Sequence, residues 1–525
     1  MARRTVGIAR TCGIGFWMGA AVAALILLLC FGTVGVVAWR AESGTRFTAA
    51  DFAALRFTVT QAALSAVFSV ALAIPVARAL ARRSFRGRHL LITLFGAPFV
   101  LPVIVAVLGL IAVFGRTGLV SSGLGYLGVG PIHIYGLHGV VLAHVFFNLP
   151  LAVRLILQGW LAIPSEHFRL AGALGCNARD HRRLLEVPML KHVVPGALAI
   201  VFLICTTSFA VALAIGGGPK ATTIELAIYQ AFRFDFDLSK AALLALIQVV
   251  LSGCAALLAW RFSRGAIAGE GLDRVVVRYD EDASVIADAA WISLAAAFLG
   301  LPLLMIIAKG APRLFFLPTS IWEAAGRSLV VATISMALAV SFGLALAFWI
   351  SALRGRARGL GEAVGYLTVA ISPLVMGAGI FIAVYRFANP QDWALATTAL
   401  VNAVVALPFA MRVLLPAVDA CAAQFGPLAE SLRMRGFARF RYVEWPRLQR
   451  PIGFVAGLSA ALSMGDLGVI ALFADPNRAT LPLALYDLMG AYRMGDAAGA
   501  ALLLFLLSIG VFYLFDRGGR ADAPI

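Results

Sequence analysis

The segment Arg169–Leu190 reads RLAGALGCNARDHRRLLEVPML, and 258 residues later Pro427–Leu448 reads PLAESLRMRGFARFRYVEWPRL. The two align without a gap. Seven of the 22 positions are identical: Leu170/Leu428, Ala171/Ala429, Leu174/Leu432, Arg183/Arg441, Glu186/Glu444, Pro188/Pro446 and Leu190/Leu448. The first copy holds six charged side chains and lies between long apolar stretches. A polar insert repeated in register points to a chain built twice from one template.

The chain around these inserts is very apolar. Of its 525 residues, 61% are hydrophobic and 13% charged, and the mean hydropathy is +0.93. That composition is foreign to soluble domains and implies an integral membrane protein in a lipid bilayer. Twelve apolar segments are long enough to cross: roughly 14–39, 57–80, 90–114, 138–162, 193–216, 240–261, 288–309, 328–351, 360–386, 394–416, 452–474 and 497–516. The expected fold is therefore all-α, with about twelve transmembrane helices. The first apolar run exceeds a signal-peptide core and reads as an uncleaved span.

The net charge of +17 in a soluble protein suggests nucleic acid. Here it reflects the clustering of Lys and Arg on the cytoplasmic side of a membrane, so no nucleic-acid partner is expected. With the N-terminus inside, 30 of the 43 Lys and Arg residues fall on the cytoplasmic side. Both termini and both inserts are then cytoplasmic.

The repeat extends past the inserts. At the same offset Leu149-Pro150 matches Leu407-Pro408 and Arg154 matches Arg412. After a one-residue gap, ATTIELAIY (Ala221–Tyr229) resembles ATLPLALY (Ala479–Tyr486). Arg56 and Arg327 each open an apolar segment that ends in a basic turn. The expected organisation is a first half at 1–262 (repeat about 56–261), a polar cytoplasmic linker at 263–287, and a second half at 288–525 (repeat about 326–516). An even number of spans separates the copies, so the repeats are parallel, and a pathway between halves is the usual arrangement.

Each insert mixes Leu and Arg at helical spacing, and Pro188 and Pro446 are expected to stop or redirect the helix. An interfacial helix and a helix docked on a partner both fit this pattern. A duplicated insert favours a partner that is itself a homodimer.

Here the sequence resembles a family. The inserts are similar to the coupling motif of ATP-binding-cassette importer permeases: Glu-Ala-Ala, three residues, Gly, nine residues, then hydrophobic, any residue, hydrophobic, Pro. The first copy aligns as Arg169-Leu170-Ala171, Gly175, Leu185, Val187 and Pro188. The second aligns as Pro427-Leu428-Ala429, with Arg433 in the glycine position, then Val443, Trp445 and Pro446. The full Glu-Ala-Ala is absent from both. A fused two-copy chain of this kind resembles the thiamine and ferric-iron importer permeases. GGGPKATTIELAIYQA (Gly216–Ala231), LSMGDLGVIALF (Leu462–Phe473), TLPLALYDLMGAYR (Thr480–Arg493) and VLAHVFFNLP (Val141–Pro150) are similar to the thiamine permeases.

The resemblance implies a type I importer permease fold in an inner membrane and transport by alternating access. It also implies a cytoplasmic ATPase homodimer and a periplasmic thiamine-binding protein as partners. The ATPase-coupling residues it implies are Leu170, Ala171, Gly175, Arg183, Glu186 and Pro188, with Leu428, Ala429, Arg433, Arg441, Glu444 and Pro446. The substrate it implies is thiamine, and thiamine pyrophosphate with it; ferric iron is the alternative cargo. A secondary transporter is a third reading, and the twin inserts count against it.

Asp466 stands inside an apolar span, where a carboxylate is a functional candidate by default. It attracts a cationic ring, braces a broken helix, or is capped by Ser463 or the backbone amides near Gly465. Thr206, Thr207 and Ser208 occupy the matching span and line a pathway or bond their own helix. Gly216–Lys220 fails the phosphate-loop pattern, since Lys220 precedes Ala221. No cofactor is expected on this chain, and ATP enters through a partner subunit. The six cysteines lack metal spacing, the seven histidines all precede residue 193, and no catalytic constellation stands out.

Overall fold

The computed structural model describes residues 14–40, 47–95, 100–218, 221–263, 285–473 and 478–521. The N-terminal Arg3-Arg4, Pro219-Lys220, most of the expected linker with its acidic YDEDAS stretch, and the end of the basic C-terminal tail lie outside them. All regular structure among the described residues is helical.

The first half contains α1 (Ile14–Arg40), α2 (Ala49–Arg82), α3 (Arg88–Leu94), α4 (Val103–Phe114), α5 (Leu119–Gly125) and α6 (Leu137–Leu161). Then come α7 (Ser165–Ala173), α8 (Ala178–His181), a π turn (Arg182–Glu186), α9 (Val187–Thr206), α10 (Phe209–Ile215), α11 (Ile224–Arg233) and α12 (Leu238–Ser263). The second contains α13 (Val285–Gly310), α14 (Thr319–Ala352), α15 (Gly355–Leu367), α16 (Pro373–Tyr385) and α17 (Ala394–Ser431). These lead to α18 (Gly436–Arg439), a second π turn (Phe440–Glu444), α19 (Trp445–Met464), α20 (Gly468–Phe473), α21 (Leu481–Gly490) and α22 (Met494–Ala521).

Among the described residues, eleven helices are long and apolar enough to cross a membrane. The ninth expected span, 360–386, is interrupted instead. Ser372 caps the Leu374 amide at 3.2 Å and Pro373 opens α16, so α15 and α16 are separate pieces. Thirteen residues in α16 rise about 20 Å, short of a ~30 Å hydrocarbon layer.

The chain divides into two compact units that regroup the sequence halves. The larger consists of Val37–Arg327 with Gly465–Leu507. In it α2 packs on α6 and α9, α9 on α12, and α13 on α4 and α2. The leading helix of the second half therefore lies on helices of the first. The smaller consists of Met1–Val36, Ser328–Met464 and Ser508–Ile525. There α1 approaches α16 so closely that a Cβ on Gly379 falls 2.6 Å from Thr33 Cβ. Only a residue without a side chain permits that helix contact.

Candidate functional site

Both inserts fold in the same way. In the first, α7 ends with hydrogen bonds from the amides of Leu174, Gly175 and Cys176 to the carbonyls of Leu170, Gly172 and Ala171. In the second, Leu432, Arg433 and Met434 bond Leu428, Glu430 and Ala429. Each bond has its counterpart 258 residues away. This closing pattern requires a left-handed residue after the helix, and Gly175 and Arg433 supply it at φ +73° and +53°.

The approach to the inserts differs. Pro164 stands where the second copy has Ala422. A residue before proline is pushed out of the helical region, so α6 stops at Leu161 and α7 starts anew at Ser165. In the second copy α17 runs unbroken from span into insert.

Pro188 and Pro446, expected to stop or redirect the helix, do not stop it; they widen it. Proline removes one amide and its ring crowds the carbonyl four residues back. The Val187 amide bonds Arg182 and the Trp445 amide bonds Phe440, each a five-residue step. The result is a π turn at the same repeat position in both copies. Helix then continues into α9 and α19, so insert and span are joined without a hinge.

The glutamates find different partners. Glu186 is 2% exposed. It receives Arg78 Nε at 2.9 Å and Arg82 Nη2 at 3.2 Å, both from α2. A buried carboxylate held by two guanidiniums fixes the insert to the first shared span. Glu444 instead receives Arg439 Nε at 2.9 Å, within its own insert. The residue matching Arg439 is His181, which is buried and stacks on Phe168. With the Arg56/Arg327 register, Trp349 and Leu353 match Arg78 and Arg82. In place of ion pairs, Phe440 packs on Phe348 with ring centroids 6.4 Å apart.

Leu170, Leu174 and Leu184 are exposed, and so are their counterparts Leu428, Leu432 and Tyr442. Arg183, Arg441 and Pro188 are exposed as well, Pro446 is half-buried, and Ala171 is half-buried where Ala429 is buried. Each insert thus shows an apolar, basic face.

The candidate pathway residues lie at breaks in two matching spans. Thr207 and Ser208 separate α9 from α10. Asp466 separates α19 from α20, and its Oδ1 accepts the Gly468 amide at 3.2 Å. Ser208 and Asp466 are 258 residues apart, at one repeat position. Ser463 accepts a hydrogen bond from Asn402 Nδ2 at 3.1 Å. The Thr207 hydroxyl bonds the Ile204 carbonyl and the Thr206 hydroxyl bonds Leu203.

Four residues escaped the sequence reading. Arg78 and Arg82 were counted only as positive charge. Gln61 and Gln248, both fully buried, donate to the carbonyls of Cys205 and Thr206 at 2.9 and 3.0 Å. A broken helix leaves its last carbonyls without partners, and these amides fill that need. A buried Gln in an apolar helix was the available signal.

No family model matches the chain. It is 38% identical over 519 residues to the thiamine transport system permease protein ThiP of Brucella abortus (strain 2308), covering 96% of this chain and 95% of that one. It is 38% identical over 473 residues to ThiP of Escherichia coli (strain K12), covering 88% of each. Against ThiP of Haemophilus influenzae identity is 34% over 474 residues, covering 87% of each. With likeness of this degree along nearly the whole length, and two matched inserts on an all-helical frame, the chain belongs to the thiamine transport system permease family.

Proposed function

We propose that the chain is the membrane permease subunit of an ATP-driven importer that carries thiamine, and thiamine pyrophosphate with it, by alternating access. The observation that carries this reading is 38% identity to a thiamine transport permease over 96% of the chain. The fold assigned is that of type I importer permeases, with parallel repeats at about 56–261 and 326–516 flanking the segment 263–287.

The two inserts serve as coupling helices. Their matched apolar faces dock on a cytoplasmic ATPase homodimer, whose closure on ATP they pass to the spans. A helix that runs unhinged from docking face into span transmits a rigid-body shift. Glu186, through Arg78 and Arg82, carries the shift to α2. Lys and Arg clustering supports an inner-membrane topology with both termini and both inserts cytoplasmic. A periplasmic thiamine-binding protein delivers the cargo on the opposite side.

The test is uptake of labelled thiamine by proteoliposomes holding this chain, its co-purifying ATPase, enclosed ATP and the matching binding protein. ATP-dependent accumulation is expected. ATP hydrolysis stimulated by the binding protein without thiamine uptake would keep the importer class and turn attention to ferric iron. Uptake driven by an ion gradient and indifferent to ATP would overturn the reading.

A further inference from the structure

The larger compact unit holds a cleft of about 420 Å³ at the end of the α9–α10 pair remote from the first insert. Its walls come from α11 and α21, which hold the tyrosines that end ATTIELAIY and ATLPLALY, together with Ala212 and Leu213 of α10 and the Gly217-Gly218 pair. Tyr229 and Tyr486, which occupy the same place in the two copies, both line it. The repeat-related tyrosines thus converge on one space.

Where the copies diverge, charge appears. The residue after each tyrosine is Gln230 in one copy and Asp487 in the other, and Arg233 stands where the second copy has Gly490. Asp487 and Arg233 line the same cleft. Two tyrosine rings and Phe234, with one carboxylate and one guanidinium, form an asymmetric site of ordinary ligand-binding size.

Tyr229 is held in place. Phe209 meets it edge-on at 5.2 Å between centroids, and Phe234 at 5.9 Å with planes 89° apart. Asp487 remains accessible to solvent. The surrounding protein raises its pKa by desolvation, and Arg233 pulls the other way. Burial likewise raises the pKa of both tyrosines, which keeps their rings neutral. Neutral phenol faces beside a carboxylate suit an organic cation with a flat ring, and a guanidinium suits a phosphate.

We propose that this cleft is the permease's receiving site for its cargo: a cationic aromatic ring meets Tyr229 and Tyr486 with its charge on Asp487, and a phosphate arm, where present, meets Arg233. The assignment rests on the thiamine reading above, since thiamine is a cationic ring and its phosphates extend it with an anionic arm.

The experiment measures binding-protein-dependent uptake of thiamine and thiamine pyrophosphate in proteoliposomes, on complexes that co-purify with the ATPase. Asp487→Asn and Tyr486→Leu are expected to raise the apparent KM for thiamine about tenfold, the scale of one lost ionic or cation–π contact. Asp487→Glu is expected to recover most of it. Arg233→Gln is expected to lower pyrophosphate uptake relative to free thiamine. Wild-type KM in both Asp487→Asn and Tyr486→Leu overturns the cleft and leaves the importer intact. Equal losses in Asp487→Asn and Asp487→Glu overturn the charge role. Absence of thiamine uptake by the wild-type chain overturns the functional reading itself.

Discussion

Arg433 holds a left-handed backbone at φ +53° because its counterpart 258 residues upstream, Gly175, holds φ +73° in the same hydrogen-bonded turn. The template demands that conformation, and the second copy meets it with a side chain that disfavours it. A β-carbon in the left-handed region costs roughly 1–2 kcal/mol. Arg433→Gly is therefore expected to stabilise the second insert by up to about 1 kcal/mol, after glycine's entropy is counted. The detergent-solubilised protein then melts at a higher temperature. The reverse change, Gly175→Arg, is expected to lower melting and thiamine transported per ATP. Equal melting in both variants would contradict a shared turn.

Glu186 carries the second prediction. Removing one partner from a buried ionic cluster strands charge in the interior and typically costs about 3–5 kcal/mol. Glu186→Lys places a third cation beside Arg78 and Arg82. ATP hydrolysis is expected to continue while thiamine transported per ATP falls sharply. Glu444→Lys is expected to do less, because Glu444 pairs with Arg439 inside its own insert and, among the described residues, not with a span. Wild-type coupling in Glu186→Lys would remove the brace from the mechanism.

Most span positions and the duplicated insert were legible in sequence because hydropathy and a gapless offset are one-dimensional signals. The exchange of leading helices between compact units was not, since helix faces such as that of Gly379 against Thr33 are chosen by packing across hundreds of residues. The interruption of span nine had a visible cue in Ser372-Pro373, masked by the apolar residues around it. The inserts were legible as helices, yet the proline rule left an end and a redirection both open, where a π turn continues the chain. Partner choice by Glu186 depended on Arg78 and Arg82, 108 and 104 residues away. No local pattern marks that pairing.

Gln61 and Gln248 supply the third prediction. Gln248→Leu keeps size and removes the donor to the Thr206 carbonyl, leaving a buried acceptor unmet at about 1–3 kcal/mol. Gln61→Leu does the same at Cys205. Each is expected to lower the melting temperature of the solubilised protein, and the break between α9 and α10 is expected to exchange amide hydrogens faster. Unchanged exchange at Thr206–Phe209 in both variants would mean that the break is held by other contacts.

The π turns give the last prediction. Pro188→Ala restores an amide and relieves the crowded carbonyl, so the ordinary four-residue bond becomes available to the turn. Relaxing one π turn to α shifts register by one residue, about 100° of rotation between insert and span. The exposed face built on Leu184 then turns away from the direction it holds in the native insert while α9 stays seated. Helix stability itself is expected to rise, because proline no longer interrupts the continuous run from insert into α9 and a hydrogen bond is gained. Pro188→Ala should therefore melt no lower than the wild type yet transport less thiamine per ATP, and Pro446→Ala should follow it. Lower stability together with normal coupling would show that the π turn is a packing feature, with docking direction set elsewhere.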